Sequence, residues 1–471
     1  KKGPDASGFS STPCRGRHKR AQNMDQVTVK APSSKSVSHR RLIGAALAKG
    51  ESHLTGVLES RDIEQTRQIL EQTGATFEAL GPGEWRVIGI GGGPRGGDAV
   101  PVSCYVHESG TTCRLLTAVL ASGMGQFRIH GAPRMHSRPI GELTAALEKL
   151  GVVIRFEGEP GYPPFVLRTR GLEGGTVEIG LGESSQYLSG LLLAAPQAKG
   201  PITLEICGRH VVSWPYIGLT LQTMHDFGIR FDVSARRDRQ AEWQFADWRK
   251  LRAVRPGLIR FRVRPSLYKA GEYSVEGDWS GASYLLAAGV LGNRPVCVTG
   301  LRRDTMQGDR SIRDILERMG ARLEEGDEGL VAYPSSLVGV EADMSDCPDL
   351  VPTVAVLAAC AEGDTLIRGV AHLRIKECDR IAAPARELGK AGISVEERPD
   401  GLLIHGNPQL DLHGQTLELL AYGDHRMAMS LSLLECRGAT VHLDEPGVVS
   451  KSFPAFWDIW KSIRGEEASA L

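Results

Sequence analysis

One pattern recurs six times along this chain: a cluster of small polar residues followed at once by a stretch that is apolar on nearly every side. The copies begin at Ala31–Arg40, Glu108–Arg114, Glu183–Tyr187, Gly277–Gly281, Ser345–Asp349 and Gly423–Arg426. Their starts lie roughly 70–95 residues apart, a repeat that governs any fold the chain can adopt. A helix apolar all round cannot sit on a surface and must be wrapped by other elements. In the first copy, Pro32 and the serines mark a helix start and Gly50 its stop. Lys35 and Arg40 then fall in the first turns, where the helix dipole is already positive. Cations at that end make sense where an anion binds.

A second signal follows each of the first five copies. An amphipathic stretch ends in a glycine (Gly74, Gly151, Gly228, Gly320, Gly392) and turns into alternating polar and apolar residues. The unit reads strand, buried helix, strand, surface helix, strands. With 471 residues, more than one core serves, the six units divide three and three. The expected fold is α/β with two domains, each of three repeated strand–helix units wrapping parallel buried helices, an inside-out α/β barrel. One domain should span 34–275 and the other 24–33 plus 276–471, with two crossovers near Ser33 and Gly277. Residues 1–23, rich in Gly, Ser, Pro, Lys and Arg, read as a disordered tail or a remnant preceding Met24.

Composition removes several function classes. Lys+Arg and Asp+Glu both number 56, which argues against a broad nucleic-acid or membrane surface but not against a local basic cleft. Nine cysteines without CxxC pairs suggest neither a disulfide framework nor a zinc site, so a reducing cytoplasm is expected. No apolar run reaches the ~18 residues of a membrane span.

If the buried helices are parallel, their N-termini converge, and two facing domains enclose a cleft lined by the polar clusters. Its cations would be Lys35, Arg40, Arg114, Arg138, Lys376, Arg380, Arg426 and Lys451; its acids Asp278, Asp349, Glu377 and Asp424. Such a cleft suits small, multiply anionic ligands, because arginine forks bind carboxylates and phosphates bidentately. Taken singly, Asp349 fits a helix cap, Lys376–Arg380 a solvated helix start, and Asp424–Arg426 a cap with His425 packed locally. Their coincidence at equivalent positions of a repeat favours a site.

Eleven motifs in this order resemble the 5-enolpyruvylshikimate-3-phosphate synthases of the enolpyruvyl transferase family. They are SSKSVSHR, SGTTCR, RMHSRPIG, SSQYLSGLLLAA, VVSWPYI, VEGDWSGASY, MQGD, CPDLVPT, RIKECDRI, YGDHRMAM and SKSFPAFW, spread over residues ~26–460. The resemblance implies transfer of the enolpyruvyl group of phosphoenolpyruvate to the 5-hydroxyl of shikimate-3-phosphate, without metal or organic cofactor, by a cytoplasmic monomer that binds neither nucleic acid nor membrane. It places shikimate-3-phosphate against Lys35, Ser36, Arg40, Ser184, Ser185, Gln186, Ser213, Tyr216, Asp349 and Lys376. It places phosphoenolpyruvate against Lys35, Gly110, Arg138, Gln186, Arg380, Arg426 and Lys451, with Asp349, Glu377 and Lys35 in catalytic roles.

The chain departs from the family pattern at Ser33 or Ser34, where glycine is usual, at Glu108-Ser109, where Asn-Ala is usual, and at Leu115, where proline is usual. Glu108 adds negative charge near an anion pocket, so reduced sensitivity to glyphosate, which occupies that pocket in the family, is expected. The enolpyruvyl transferases acting on UDP-N-acetylglucosamine are the nearest alternative. They use a reactive loop cysteine, whereas Cys113 falls in a helix start and should be buried. A nucleic-acid end-processing cyclase of similar repeat architecture fits the neutral charge poorly. A non-catalytic anion binder would not need Asp349, Glu377 and Lys451 together.

Overall fold

The computed structural model describes residues 25–251 and 254–465; the expected N-terminal tail lies outside them. It is a mixed α/β protein of two domains. Among the described residues twelve α-helices alternate between two kinds. The first kind starts at the polar clusters: α1 (Lys35–Leu47), α3 (Gly110–Ala121), α5 (Gln186–Ala194), α7 (Trp279–Leu291), α9 (Val351–Ala359) and α11 (His425–Leu431). Every residue of α7, α9 and α11 is buried, as an all-round apolar surface requires. The second kind is α2 (Arg61–Gln72), α4 (Gly141–Lys149), α6 (Pro215–Asp226), α8 (Ser311–Arg318), α10 (Ala382–Lys390) and α12 (Phe456–Arg464). Of these α2 buries one stripe, Ile63, Thr66, Ile69 and Leu70, and α8 buries Ile312, Ile315 and Leu316.

The five glycines that close the outer helices all have positive φ, from 75° at Gly228 to 122° at Gly74, the left-handed conformation that ends a helix without a Cβ clash. Two local expectations fail. Helix α1 stops at Leu47, and Gly50 (φ 110°) already lies inside the strand Lys49–Thr55. The third outer helix is not a surface helix. In α6 Ile217–Leu221 are buried in succession, because α6 packs between α1 and α5.

Five of the units share one sheet plan. A strand lies parallel to the strand that follows the buried helix, and two antiparallel strands extend the sheet. In the second unit Val102–Tyr105 runs parallel to Met124–His130, which pairs antiparallel with Phe165–Arg170 and that with Val153–Phe156. The sixth unit keeps only the parallel pair Thr416–Leu419 and Thr440–Leu443.

The first and fourth units exchange their leading strands. Val27–Lys30, which precedes α1, pairs parallel with Val296–Thr299 of the fourth unit. Glu272–Ser274, which precedes α7, pairs parallel with His53–Thr55 of the first. The two connections cross at a bridge between Ser33 and Gly277. There Ser34 N–H donates to Glu276 O at 2.8 Å and Asp278 N–H to Pro32 O at 2.7 Å. Buried Gln307 fastens the crossing: its amide donates to Gly277 O (2.8 Å) and Glu276 Oε1 (2.9 Å), and its carbonyl accepts from Trp279 N (3.0 Å). No helix among the described residues is long and apolar enough to cross a membrane.

A Cβ at Gly277 would stand 2.5 Å from Gly300 O, a backbone atom that cannot swing aside. Gly277→Ala should therefore lower unfolding free energy by about 1–3 kcal/mol, the usual cost of overpacking. Urea unfolding of the two proteins checks this; equal midpoints would mean the crossing tolerates a methyl group.

Candidate functional site

Between the halves lies a cleft cavity of about 690 Å³. Its walls include the starts of α1 (Lys35, Ser36), α3 (Gly110, Thr111), α5 (Ser185, Gln186) and α11 (His425, Arg426), and the turn Pro348–Leu350 that leads into α9. The start of α7 borders an adjoining cavity of about 460 Å³ through Ser280 and Gly281, which shares Lys35, Ser36, Tyr216 and Arg426 with the first. All six polar clusters thus reach the cleft. Backbone N–H groups that lack an intrahelical partner favour anions at such helix starts.

The sequence-derived site residues are largely brought together. Lys35, Ser36, Gly110, Arg138, Ser184, Ser185, Gln186, Ser213, Tyr216, Asp349, Lys376, Glu377, Arg380 and Arg426 line the main cavity. Arg40 does not. It is buried beneath, donating to Thr220 Oγ1 (2.8 Å), Ser36 O (2.8 Å), Tyr216 O (3.1 Å) and Ser189 Oγ (3.3 Å). It therefore fixes the α1 start against α6 rather than offering its guanidinium to the cleft. Lys451 is not among the lining residues of the main cavity and is engaged: its ammonium meets Glu108 Oε2 at 2.5 Å and Gly423 O at 2.9 Å.

Arg380 is the hub. Its guanidinium, 2% exposed, donates to Asp424 Oδ2 at 2.7 Å, Asp349 Oδ1 at 2.9 Å and Glu377 Oε2 at 2.9 Å. Arg426 reaches Asp349 Oδ2 at 2.8 Å and also bonds Ser280. Tyr216 OH donates to the same Oδ2 at 2.9 Å, and Arg138 lies 3.5 Å from Glu377 Oε1, so both contacts cross the cleft. Gly110 lies directly under the Arg138 guanidinium: a Cβ there would stand 2.6 Å from Nη2 and push it aside. Residues Lys376–Arg380 are not a solvated helix start. They follow the short turn Ala371–Ile375 and precede α10, and Arg134 of the opposite half caps them by donating to Lys376 O (2.8 Å) and Glu377 O (3.1 Å).

Burial would raise both carboxyl pKa values. Arg426, Arg380 and Lys376 outweigh it at Asp349, and Arg380 and Arg138 outweigh it at Glu377, so both stay ionised. Lys376 goes the other way: burial and then Arg114 bring its ammonium down to about 7, against the pull of Asp349. Burial, Lys35 and Arg426 keep His425 neutral, and neither of its ring nitrogens has a hydrogen-bond partner.

Two neighbours, Asp62 and Asp309, were not legible as site residues, and a third, Arg114, only in part. Asp62 lines the cavity and pairs with Lys35 at 3.2 Å; it sits on an outer helix, α2, outside the repeated clusters. Arg114 counted as a cleft cation without a ligand role; it holds Gln186 Oε1 at 3.1 Å. Asp309, in MQGD, is buried with Oδ1 unpartnered; burial and the nearby Asp349 lift its carboxyl to about 8. Cys113 is buried in α3, and its thiol is pushed up to about 11 by that burial.

A family model described as EPSP synthase (3-phosphoshikimate 1-carboxyvinyltransferase) matches residues 20–242 and 254–460. The 3-phosphoshikimate 1-carboxyvinyltransferase of Shewanella denitrificans is 39% identical over 433 residues, covering 91% of this chain and 94% of the relative. That of Aeromonas salmonicida is 38% identical, with coverages of 92% and 96%. Among solved structures, an EPSP synthase from Acinetobacter baumannii superposes with a TM-score of 0.73 at 25% identity, covering 93% of this chain and 96% of the other.

Lys376 gives the cleft a pH dependence. Below about 7 its ammonium is charged and attracts a phosphate; above, it is neutral and binding must recruit a proton. The affinity for a phosphate-bearing ligand should fall as pH rises from about 7 to about 9. Binding titrations across that range check this, and Lys376→Arg, charged throughout, should flatten the profile.

Proposed function

The chain belongs to the EPSP synthase family, and from that premise we propose which of its residues carry the reaction. The activity is the transfer of the enolpyruvyl group of phosphoenolpyruvate to the 5-hydroxyl of shikimate-3-phosphate, in the shikimate pathway of aromatic amino-acid biosynthesis. Shikimate-3-phosphate rests with its phosphate on Ser184, Ser185 and Ser213 and its hydroxyls toward Asp349, beside Ser36, Gln186, Tyr216 and Lys376. Arg40 contributes by holding Ser36 O and Tyr216 O in place. Phosphoenolpyruvate lies among Lys35, Gly110, Arg138, Gln186, Arg380, Arg426 and Lys451.

The hydroxyl adds to C2 of phosphoenolpyruvate while a proton arrives at C3; the tetrahedral adduct then loses phosphate and the C3 proton. Glu377 gives and retrieves that proton, and Asp349 takes the hydroxyl proton while the Lys35 cation stabilises the oxygen it leaves. The observation that carries this reading is the Arg380 hub, which holds Asp349 and Glu377 with shared cations in one cleft. Glu377 is ionised while Arg380 and Arg138 face it alone. A phosphate and a carboxylate arriving beside it occupy those cations and add negative charge, both of which raise its pKa. Substrate binding thus supplies the acid that the first step needs. Lys35, Arg138 and Lys451 then stabilise the departing phosphate.

The same reading takes 34–275 as one domain and 24–33 plus 276–471 as the other, each an inside-out barrel of three units. Two clusters of buried apolar residues support it, one running from Leu42 to Tyr268 and the other from Trp279 to Ile463 together with Val29 and Ala31. It takes the enzyme as a cytoplasmic monomer.

Phosphate release from phosphoenolpyruvate, measured with and without shikimate-3-phosphate, tests the assignment directly. Glu377→Gln should fold and lose turnover by about 100-fold or more; near-normal turnover would remove Glu377 from the mechanism. Glu108→Gln should act in the opposite sense. The Glu108 carboxylate already meets the Lys451 ammonium, so an incoming anion must compete for it. Removing that charge should lower the KM for phosphoenolpyruvate and the inhibition constant of glyphosate together, each by about fivefold, the scale of a partly exposed ion pair. An unchanged pair of constants would sever Glu108 from the pocket.

A further inference from the structure

The family model leaves residues 243–253 unmatched, and the described part of that stretch touches the turn that carries Ser213. Gln244–Phe245 pairs antiparallel with Ser234–Ala235, extending the third sheet by one strand. Trp248 tucks its ring, 8% exposed, beside Phe231 and His225 at centroid distances of 6.0 and 6.3 Å. Anchored this way, the chain brings the Leu251 carbonyl to the indole N–H of Trp214, which donates to it at 3.2 Å.

Trp214 follows Ser213, and Ser213 has φ 54°, a left-handed conformation uncommon for a residue with a Cβ. Such a turn persists only where its surroundings hold it. The opposite half holds it through Ser213 N–H to Ser345 O (2.8 Å) and Trp214 N–H to Asp346 Oδ1 (3.3 Å). Those two bonds span the cleft and exist only with the halves together. The Leu251 bond lies within one half and persists when they separate.

We propose that the 243–251 segment is a brace, absent from the family pattern, that presets the Ser213 turn for the phosphate of shikimate-3-phosphate, with Trp214 as the positioning residue through which it acts. This rests on the assignment of Ser213 to that phosphate. Leu251 fixes Trp214 from behind; Trp214 N–H and its carbonyl, which accepts from Ile217 N at 2.9 Å, set the start of α6 and hence Tyr216.

The test is steady-state kinetics of Trp214→Phe, Ser213→Ala and the double variant in the full chain, with thermal melting alongside. Trp214→Phe keeps an aromatic ring and removes the indole donor. It should raise the KM for shikimate-3-phosphate by about three- to tenfold, the scale of one hydrogen bond. The KM for phosphoenolpyruvate, kcat and the melting temperature should move little. In the Ser213→Ala background the Trp214 effect should shrink, since both act on the same contact. Equal shifts in both KM values, or full additivity of the two substitutions, would reduce Trp214 to a packing residue and overturn the proposal, as would an unchanged KM. If Ser213→Ala itself leaves the shikimate-3-phosphate KM unchanged, the ligand assignment falls, and the brace falls with it for that separate reason.

Discussion

The crossing of the two connections at Ser33 and Gly277 is the constraint on which the rest of the molecule depends. Each connection leads into a buried helix whose first turn faces the cleft, so the backbone bonds between Pro32, Ser34, Glu276 and Asp278 set where α1 and α7 begin. Lys35 and Ser36 leave the crossing on one side and Ser280 on the other. Gln307 locks it from a third direction and stands two residues from Asp309, whose carboxyl approaches Tyr216 OH at 3.4 Å. Interdomain geometry and site geometry therefore share one set of hydrogen bonds.

Burying so many charges is costly unless each finds a partner. The cleft meets that demand internally: Arg380 with three carboxylates, Arg426 with Asp349, Lys35 with Asp62, Lys451 with Glu108. These pairs have a second effect. Each cation that receives an anion must loosen its hold on the acid beside it.

Much of this was legible in the sequence, and the reasons for the gaps are physical. Helix starts were readable because a polar cluster beside an all-apolar run permits few other conformations, and the helix-ending glycines because the left-handed cap excludes side chains. The orientation of Arg40 was not legible, since a cation in a first turn looks the same whether it points into the cleft or, as here, inward to Thr220. The Glu108–Lys451 pair joins residues of different units, and no local pattern announces a partner so distant. Asp62 belongs to an outer helix, where an acid in the first turn reads as an ordinary dipole partner. The bond from Trp214 to Leu251 depends on a backbone carbonyl, which leaves no trace in residue identity.

The exchange of strands also bears on how the chain is made. Val27–Lys30 leaves the ribosome early, yet its pairing partner Val296–Thr299 is synthesised after the whole first domain. The first domain in turn waits for Glu272–Ser274 to complete its first sheet. One half closes only with the last of its residues, and the other takes its leading strand from a segment made long before the rest of it. Completion of one and initiation of the other coincide, at the point where Gly277 passes beside Ser33.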